Sequence, residues 1–286
     1  FLTQGKGITR RARWLFRNWI LAVALCFTLL WTFPMSFRGM ADLYRTPMRL
    51  VPHEPTLDNY RWVFEYVPYL PLWFKNTIIT TLGAVAVRTL CAALMGYAFA
   101  RLSFRGRDLI LHSLVAAIFV PRAGALMAQY ELEHVLRLRN SLFGLVLLFT
   151  SNLSVPILIM RQSFLRMPGE LEDAARIDGA SRWRLFLKIA VPFAAGGVLA
   201  VAALTSANVW GEYLITLTMI DELHLYTLGV GPAVFYLGGD YVARGDVSAQ
   251  GLRSVSYLMA AIPAILLHIT MQRHFVRGLT EGAITL

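Results

Sequence analysis

The sequence predicts an all-α, polytopic membrane protein with six transmembrane helices, and three observations support this prediction. Of the 286 residues, 57% are hydrophobic and only 15% are charged, whereas about 25% of the residues of a soluble domain are charged. Six apolar runs are each long enough to cross a bilayer, which takes about 20 residues per helix. The loops between the runs alternate between rich and poor in basic residues. Such a composition excludes a disordered chain and argues against a soluble enzyme, because too few polar side chains remain to coat a globule.

The six predicted spans take up most of the chain. They lie at residues 18–37, 74–99, 109–130, 141–161, 193–220 and 252–272. The first span follows a basic stretch, as a signal peptide does, but its apolar part exceeds the usual length of about 7–15 residues and no small-x-small cleavage site follows. We therefore expect an uncleaved helix behind a cytoplasmic segment at residues 1–17, and one transmembrane domain over residues 1–286.

The basic residues predict the orientation. The N-terminal segment, the turn at 101–108, the stretch at 161–192 and the C-terminus hold 16 Lys and Arg, and the loops on the other side hold eight. The side richer in Lys and Arg is the cytoplasmic one. Both termini are therefore expected inside, and the net charge of +10 is explained without a nucleic-acid partner.

The long cytoplasmic loop at residues 162–192 has the pattern of two short helices joined at a glycine. Pro168 can open the first helix and Gly179 can end it in a left-handed cap. Ser181 can then cap the second helix. The exposed face of the first helix is expected to present two adjacent alanines between carboxylates, which suits close approach of another protein. From these residues alone, an amphipathic helix at the membrane surface with no partner is equally well supported.

The same residues carry a resemblance to a known family. Asp173-Ala174-Ala175, Gly179 and Ile189-Ala190-Val191-Pro192 resemble the EAA loop of ABC importer permeases, whose pattern is Glu-Ala-Ala, three residues, Gly, nine residues, Ile-x-Leu-Pro. Both spacings are kept, and the departures are Asp for Glu and Val for Leu. The stretches at 55–60, 96–108, 226–231 and 272–284 are similar to the carbohydrate-uptake permeases related to the maltose system.

The resemblance implies a permease subunit with the type I ABC importer transmembrane fold, forming half of a pore for a mono-, di- or oligosaccharide in the cell inner membrane. The implied partners are a second permease subunit, two ATP-binding cassette ATPase subunits, a soluble solute-binding protein and membrane lipid. The chain has no G-x-x-x-x-G-K-[ST] loop to hold phosphates, so ATP and magnesium are expected on the ATPase. We do not expect this chain to be an enzyme. We expect it to contain no catalytic residue and to bind no cofactor or metal.

Two sets of residues are expected to contact the ATPase. By resemblance, the loop docks into a cleft of that subunit through Glu172, Asp173, Ala174, Ala175, Asp178 and Gly179. A C-terminal segment provides a second predicted contact through Phe275, Arg277 and Gly278.

Polar residues within the predicted spans are candidates for the translocation pathway, because an ionisable group in hydrocarbon is costly unless it faces a cavity or a partner. Arg88 lies in the second span, and Asn208 and Glu212 share one face of the fifth, with Trp210 nearby. Together they could supply the hydrogen bonds and aromatic stacking that a sugar needs. Alternatively, Arg88 and Glu212 pair inside the bundle, or Glu212 lies at the outer interface.

Three other functions are weighed against sugar import. The same architecture could import glycerol 3-phosphate or another polyol-like solute, and a phosphate would favour a cationic pore residue such as Arg88, whereas a neutral sugar favours aromatic and amide groups. An ATP-independent six-helix carrier predicts internal repeats, and the two halves of the sequence show no convincing repeat. A membrane enzyme would need a catalytic constellation, and none is identifiable.

Overall fold

The computed structural model describes residues 27, 29–45, 51–237 and 247–280, and these residues are mainly helical. No β-strand occurs among them. Two isolated antiparallel bridges join Arg38 to Pro55 and Gly39 to Val247. The predicted all-α class is confirmed.

In chain order the helices are α1 (29–36), α2 (Met40–Arg45), α3 (Asp58–Tyr66), α4 (Leu70–Arg101), α5 (Arg107–Ala117), α6 (Arg122–Val135), α7 (Leu142–Thr150), α8 (Ser154–Leu165), α9 (Gly169–Ile177), α10 (Arg182–Leu185), α11 (Val191–Phe193), α12 (Ala195–Trp210), α13 (Leu214–Met219), α14 (Gly231–Leu237) and α15 (Ala249–Thr280). A π-helical turn, Phe186–Ala190, joins α10 to α11, and a 3₁₀ turn, Leu223–Leu225, follows α13.

Residue contacts divide the chain into two compact units. The first consists of Phe1–Pro68 and Pro232–Ala261, and the second consists of Tyr69–Gly231 and Ile262–Leu286. The expected single domain over residues 1–286 stays a prediction.

The first unit has a buried polar network at its centre. Arg38 and Asp42 form an ion pair of 3.0 Å, and both side chains are almost wholly buried. The Asn59 amide donates hydrogen bonds to the carbonyl oxygens of Ser36 and Arg38, and the Ser248 hydroxyl donates to that of Arg38. These bonds satisfy carbonyl groups at the irregular turn between α1 and α2, where no helix supplies a donor.

The second unit is organised around α4, which packs against α7, α8 and α12. The contact with α8 is close because it forms at small residues. Ala92 is fully buried, and a Cβ atom added to Gly96 would lie 2.6 Å from the Cβ of Met160 and 2.9 Å from the backbone nitrogen of Arg161. The small residues at 92 and 96 therefore allow the two backbones to approach, as small-xxx-small spacing does between membrane helices.

Within the described residues, α4 is the one helix long and apolar enough to cross a membrane by itself, and it contains the predicted span at 74–99. Two bent pairs reach the same length when each is taken as one span, which gives up to three. These are α7 with α8, bent by 57°, and Arg182–Phe193 with α12, bent by 74°. The prediction of six spans is not confirmed and stays a prediction.

The predicted spans at 18–37 and 109–130 have different outcomes. The span at 18–37 lies largely outside the described residues. The span at 109–130 is interrupted between α5 and α6, where Pro121 has an extended conformation with ψ 127°. Proline has no amide hydrogen to continue the helical ladder, so a new helix begins directly after it.

The polar first turns of α4 hold the segment that follows α13. The Trp73 indole donates a hydrogen bond of 2.7 Å to the carbonyl of Leu223. The Asn76 amide donates to the carbonyls of His224 and Tyr226, and the Thr77 hydroxyl accepts from the amide of Leu228. Four backbone groups of an irregular segment are thereby satisfied by one helix end, which fixes the segment against α4.

A buried carboxyl group lies where α6 meets α7. Glu133 is 3% exposed, and its side chain packs against the backbone at Gly144, where an added Cβ atom would clash with it. Burial raises the pKa of the Glu133 carboxyl. The protonated form is therefore favoured there relative to an exposed glutamate, because burial disfavours the charged form.

Substitution of Gly96 tests the packing of α4 on α8. We expect Gly96→Ala to lower the free energy of unfolding by about 1–3 kcal/mol, because the added methyl meets backbone atoms that cannot rotate away. The measurement is the thermal unfolding midpoint of the purified protein. Gly124→Ala on α6 is the matched control, since nothing lies within 4 Å of its added Cβ. An equal midpoint for the two variants would contradict the close contact.

Candidate functional site

The predicted ATPase-docking loop contains the helix α9, and its beginning follows from the local sequence. Pro168 was predicted to be the first helical residue, but it is the N-cap, and the helix begins one position later at Gly169. Glu170 and Glu172 lie in the first turn, where carboxylates interact favourably with the positive end of the helix dipole. The helix is nine residues long.

The predicted glycine joint is confirmed in detail. Gly179 has φ +76°, a conformation that glycine adopts without steric cost. The amide of Ala180 donates to the carbonyl of Ala175, and the amide of Gly179 donates to that of Arg176. This pair of bonds is the Schellman arrangement that closes a helix C-terminus. The Ser181 hydroxyl then accepts from the amide of Arg184 and caps α10, as predicted.

The six residues predicted to dock on the ATPase fall into two groups. Four are exposed, namely Asp173, Ala174, Asp178 and Gly179. Glu172 and Ala175 are buried within the chain itself, because they lie three residues apart on the opposite face of α9. The two alanines are therefore not side by side on one exposed face: Ala174 is open, and Ala175 belongs to the core. Ile177, which is 85% exposed, adds an apolar side chain to the open part.

Glu172 interacts with two arginines of the same chain. Its carboxylate lies 3.3 Å from Nε of Arg101 at the end of α4, and 3.6 Å from Arg176 one turn further along α9. The second contact is an i,i+4 ion pair on one face of the helix. The contact with Arg101 was not predicted from the sequence. The available signal was a basic residue at the end of an apolar run, which had counted only toward the orientation.

Arg101 also binds the end of α8. Its guanidinium donates to the carbonyl of Phe164 at 2.7 Å and to that of Met167. These carbonyls lie at and just beyond the C-terminus of α8, where helix acceptors have no partner of their own. One side chain thus joins the ends of α4 and α8 to α9.

The predicted C-terminal contact with the ATPase lies outside the described side chains. Phe275, Arg277 and Gly278 continue the backbone of α15, and their side chains are outside the described part of the structure. The second ATPase contact stays a prediction.

Three of the four predicted pathway residues line one cavity of about 480 Å³ in the second unit. Arg88 reaches it from α4, Asn208 from α12, and Glu212 from the turn that follows α12. Its other polar residues are Gln129, Ser151, Asn152 and Ser154. Trp210 does not line it, because it lies between Asn208 and Glu212 along the helix and therefore points to another side.

Arg88 is almost fully buried and donates a hydrogen bond to the carbonyl oxygen of Asn152. Asn152 lies in the break between α7 and α8, where the backbone leaves helical geometry. The arginine therefore supports the broken segment and also presents a positive charge at the cavity wall. Asn208 is exposed within the same wall.

Glu212 has a structural role in addition to its position on the cavity. Its two carboxylate oxygens accept hydrogen bonds from the amides of Ile215 and Thr216, at 2.8 and 3.1 Å. These amides belong to the first turn of α13 and have no acceptor within that helix. Glu212 therefore acts as a side-chain cap for α13, a role that the sequence analysis missed.

The sequence is similar to a known family and to named permease proteins. Over residues 10–281 the chain matches the family described as "binding-protein-dependent transport system inner membrane component". It is 33% identical over 267 residues to the sulfoquinovosyl glycerol transport system permease protein SmoH of Agrobacterium fabrum, covering 93% of this chain and 90% of that protein. It is 30% identical over 267 residues to the galactooligosaccharides transport system permease protein GanQ of Bacillus subtilis, covering 92% and 91%.

Solved structures agree in fold. A chain of a bacterial ABC transporter involved in the import of the acidic polysaccharide alginate aligns with a TM-score of 0.83 and 19% identity, covering 96% of this chain and 99% of that chain. A chain of the MetNI methionine ABC transporter in an inward-facing conformation aligns with a TM-score of 0.51 and 17% identity, covering 76% and 98%.

Fold and sequence together define a permease subunit of an ABC importer. The chain belongs to the family of inner membrane components of binding-protein-dependent transport systems. The predicted type I importer fold and inner-membrane location are thereby confirmed. The family consists of permease subunits that leave ATP hydrolysis to another subunit, so the prediction that this chain is not itself an enzyme is also confirmed. Such a system includes an ATPase and a solute-binding protein.

Substitution of Glu212 tests its capping role. We expect Glu212→Ala to lower the free energy of unfolding by about 1–2 kcal/mol, because two amides of α13 lose their acceptors. Glu212→Gln keeps one acceptor oxygen and should cost less. Thermal unfolding of the purified protein measures both, with Glu222→Gln, an exposed glutamate in a surface contact with His224, as the control. If Glu212→Ala unfolds at the wild-type temperature, the capping role is wrong.

Proposed function

We propose that this chain forms half of the pore of an ATP-driven sugar importer and that its partner ATPase drives it through α9. One observation carries the proposal: α9 is closed by a Schellman cap and fastened to α4, while its outer face presents Asp173, Ala174 and Asp178 to solvent. A small side chain between carboxylates permits close approach and offers charge complementarity to a basic cleft.

The proposal assigns the remaining parts of the system to other chains. A second permease subunit completes the pore, and two ATPase subunits hold ATP and magnesium, so that no cofactor belongs to this chain. Both termini lie in the cytoplasm, as the distribution of 16 against eight basic residues supports. The segment with Phe275, Arg277 and Gly278 makes a further contact with the ATPase.

The solute is proposed to be a sugar. Relatives of this chain are named for sulfoquinovosyl glycerol and for galacto- and arabinooligosaccharides. The cavity of about 480 Å³ lies within the range of small-molecule sites. Gln129, Asn152 and Asn208 on its wall offer amide donors and acceptors, which match the hydroxyl groups of a sugar.

A second candidate solute is favoured by Arg88. A buried guanidinium at the wall of the cavity suits a solute with an anionic group, as in glycerol 3-phosphate or an acidic saccharide. A neutral sugar has no equivalent need for that charge. The two candidates share the architecture and the docking of α9, and they differ in their dependence on Arg88.

The docking of α9 is tested by a bulky residue on its open face. We expect Ala174→Trp to reduce ATP-driven uptake by about tenfold or more, because a large side chain at the centre of a packed interface prevents close approach. The measurements are uptake into membrane vesicles and co-purification of the ATPase. Ser103→Trp is the matched control, since Ser103 is exposed in the turn after α4. Normal uptake by Ala174→Trp would refute the docking.

The solute class is tested by neutralising the arginine at the cavity. We expect Arg88→Gln to reduce uptake of an anionic solute by about tenfold, since one charge-assisted hydrogen bond is worth about 1.5–3 kcal/mol. Uptake of a neutral oligosaccharide should change little. Both solutes are measured with the complete transporter, and Arg61→Gln on the exposed face of α3 is the control for loss of charge. An equal effect on both solutes would contradict a role for Arg88 in solute choice.

A further inference from the structure

We propose that Arg101 is a positioning residue that transmits the movement of α9 to the cavity through α4. The inference rests on the docking of α9 proposed above. It assigns a function to a side chain outside both the predicted docking set and the predicted pathway set.

Arg101 is the last residue of α4, and its guanidinium has three different neighbours. It forms the 3.3 Å ion pair with Glu172 of α9, and it donates to the carbonyl oxygens of Phe164 and Met167 at the end of α8. A planar guanidinium can serve several acceptors at once in a fixed geometry, which an ammonium group cannot do. The C-terminal ends of α4 and α8 and the helix α9 are therefore held in one arrangement.

The ion pair is largely shielded from water. The exposed fraction of the side chain is 15% for Arg101 and 9% for Glu172. Charges interact more strongly where water is excluded than on an open surface. Arg176, the other cation near this carboxylate, is 62% exposed and further away, so it contributes less.

A second attachment of α9 is apolar. Ala175 belongs to a buried cluster with Ala92 and Ala93 of α4 and with Phe164 of α8. Apolar burial has no directional preference, so such a surface resists separation but permits sliding. The ion pair of Arg101 with Glu172 adds a charge–charge contact between the end of α4 and α9. This pair fixes the position of α9 along α4.

The helix α4 links this position to the cavity. It is unbroken from Arg88 at the cavity wall to Arg101, a distance of about 20 Å at 1.5 Å per residue. A displacement of α9 by the ATPase therefore moves the wall that carries Arg88. Without the ion pair, α9 stays docked on the ATPase but slides on the apolar cluster, and ATP hydrolysis is uncoupled from uptake.

The test removes the pair in the complete transporter. We expect Arg101→Met to lower the amount of solute taken up per ATP hydrolysed by about tenfold, within the range of allosteric couplings, with normal co-purification of the ATPase. Arg105→Met is the matched control, since Arg105 is exposed in the following turn. Arg101→Lys, which keeps the charge but loses the forked geometry, should recover part of the coupling.

The single variant leaves Glu172 as a buried charge without Arg101, which can prevent folding. A double variant keeps the inference testable in that case. The double variant with Arg101→Met and Glu172→Gln should take up no less solute per ATP hydrolysed than either single variant, because both changes remove the same interaction. Additive losses from the two changes would overturn the inference. Failure of the double variant to assemble would overturn it too, since the pair would then be needed for folding.

A reporter in the cavity follows the movement directly. Ser151 lines the cavity, so Ser151→Cys, in a chain whose Cys26 and Cys91 are replaced by Ala, can be labelled by a water-soluble maleimide. ATP should change the labelling rate in the otherwise unmodified chain by about tenfold and leave it unchanged with Arg101→Met. An ATP-dependent change that persists with Arg101→Met would overturn the inference.

The variants Ala174→Trp and Arg101→Met together distinguish a failure of this inference from a failure of the proposed docking on which it rests. If Ala174→Trp blocks uptake and Arg101→Met does not, α9 docks but the movement takes another route. If Ala174→Trp has no effect, the docking itself is wrong and the inference falls with it.

Discussion

The second unit depends on the close approach of α4 and α8. The 32-residue helix α4 packs against α7, α8 and α12, and its contact with α8 requires small side chains. Ala92 and Gly96 provide the flat surface on which α8 lies. Dispersion contacts in such a seam are individually small and collectively large, and they fall off steeply with any separation. The positions of Arg88 and Arg101 at the two ends of this seam follow from it.

Much of the docking loop could be predicted from its sequence, because the signals are local. Gly179 ends α9 with a positive φ, and Ser181 caps α10 through its hydroxyl. Each follows from the stereochemistry of one or two residues and needs no knowledge of the rest of the chain. Gly179 is also one of the residues that carry the resemblance to the EAA loop.

The parts that could not be predicted depend on distant contacts. Periodicity places Glu172 on a helix face but does not tell which face meets the protein, and Arg101 lies 71 positions earlier in the sequence. In the same way, Glu212 could be recognised as a polar residue near the cavity. Its role as a cap for α13 depends on the break between α12 and α13, which hydropathy does not reveal. The interruption at Pro121 did carry a local signal, which the apolar run obscured.

The π-helical turn at Phe186–Ala190 gives a geometric meaning to the spacing of the loop. A π-turn holds one residue more than an α-helical turn, and each residue of a helix adds a rotation of about 100° and a rise of about 1.5 Å. The nine residues between Gly179 and Ile189 overlap this turn. The additional residue of the turn changes the direction of α10 relative to α12. Shortening this segment by one residue would restore regular winding and rotate α10 by about 100° relative to α12. The length of the motif therefore determines the rotation of α10 about the helix axis as well as its distance from α12.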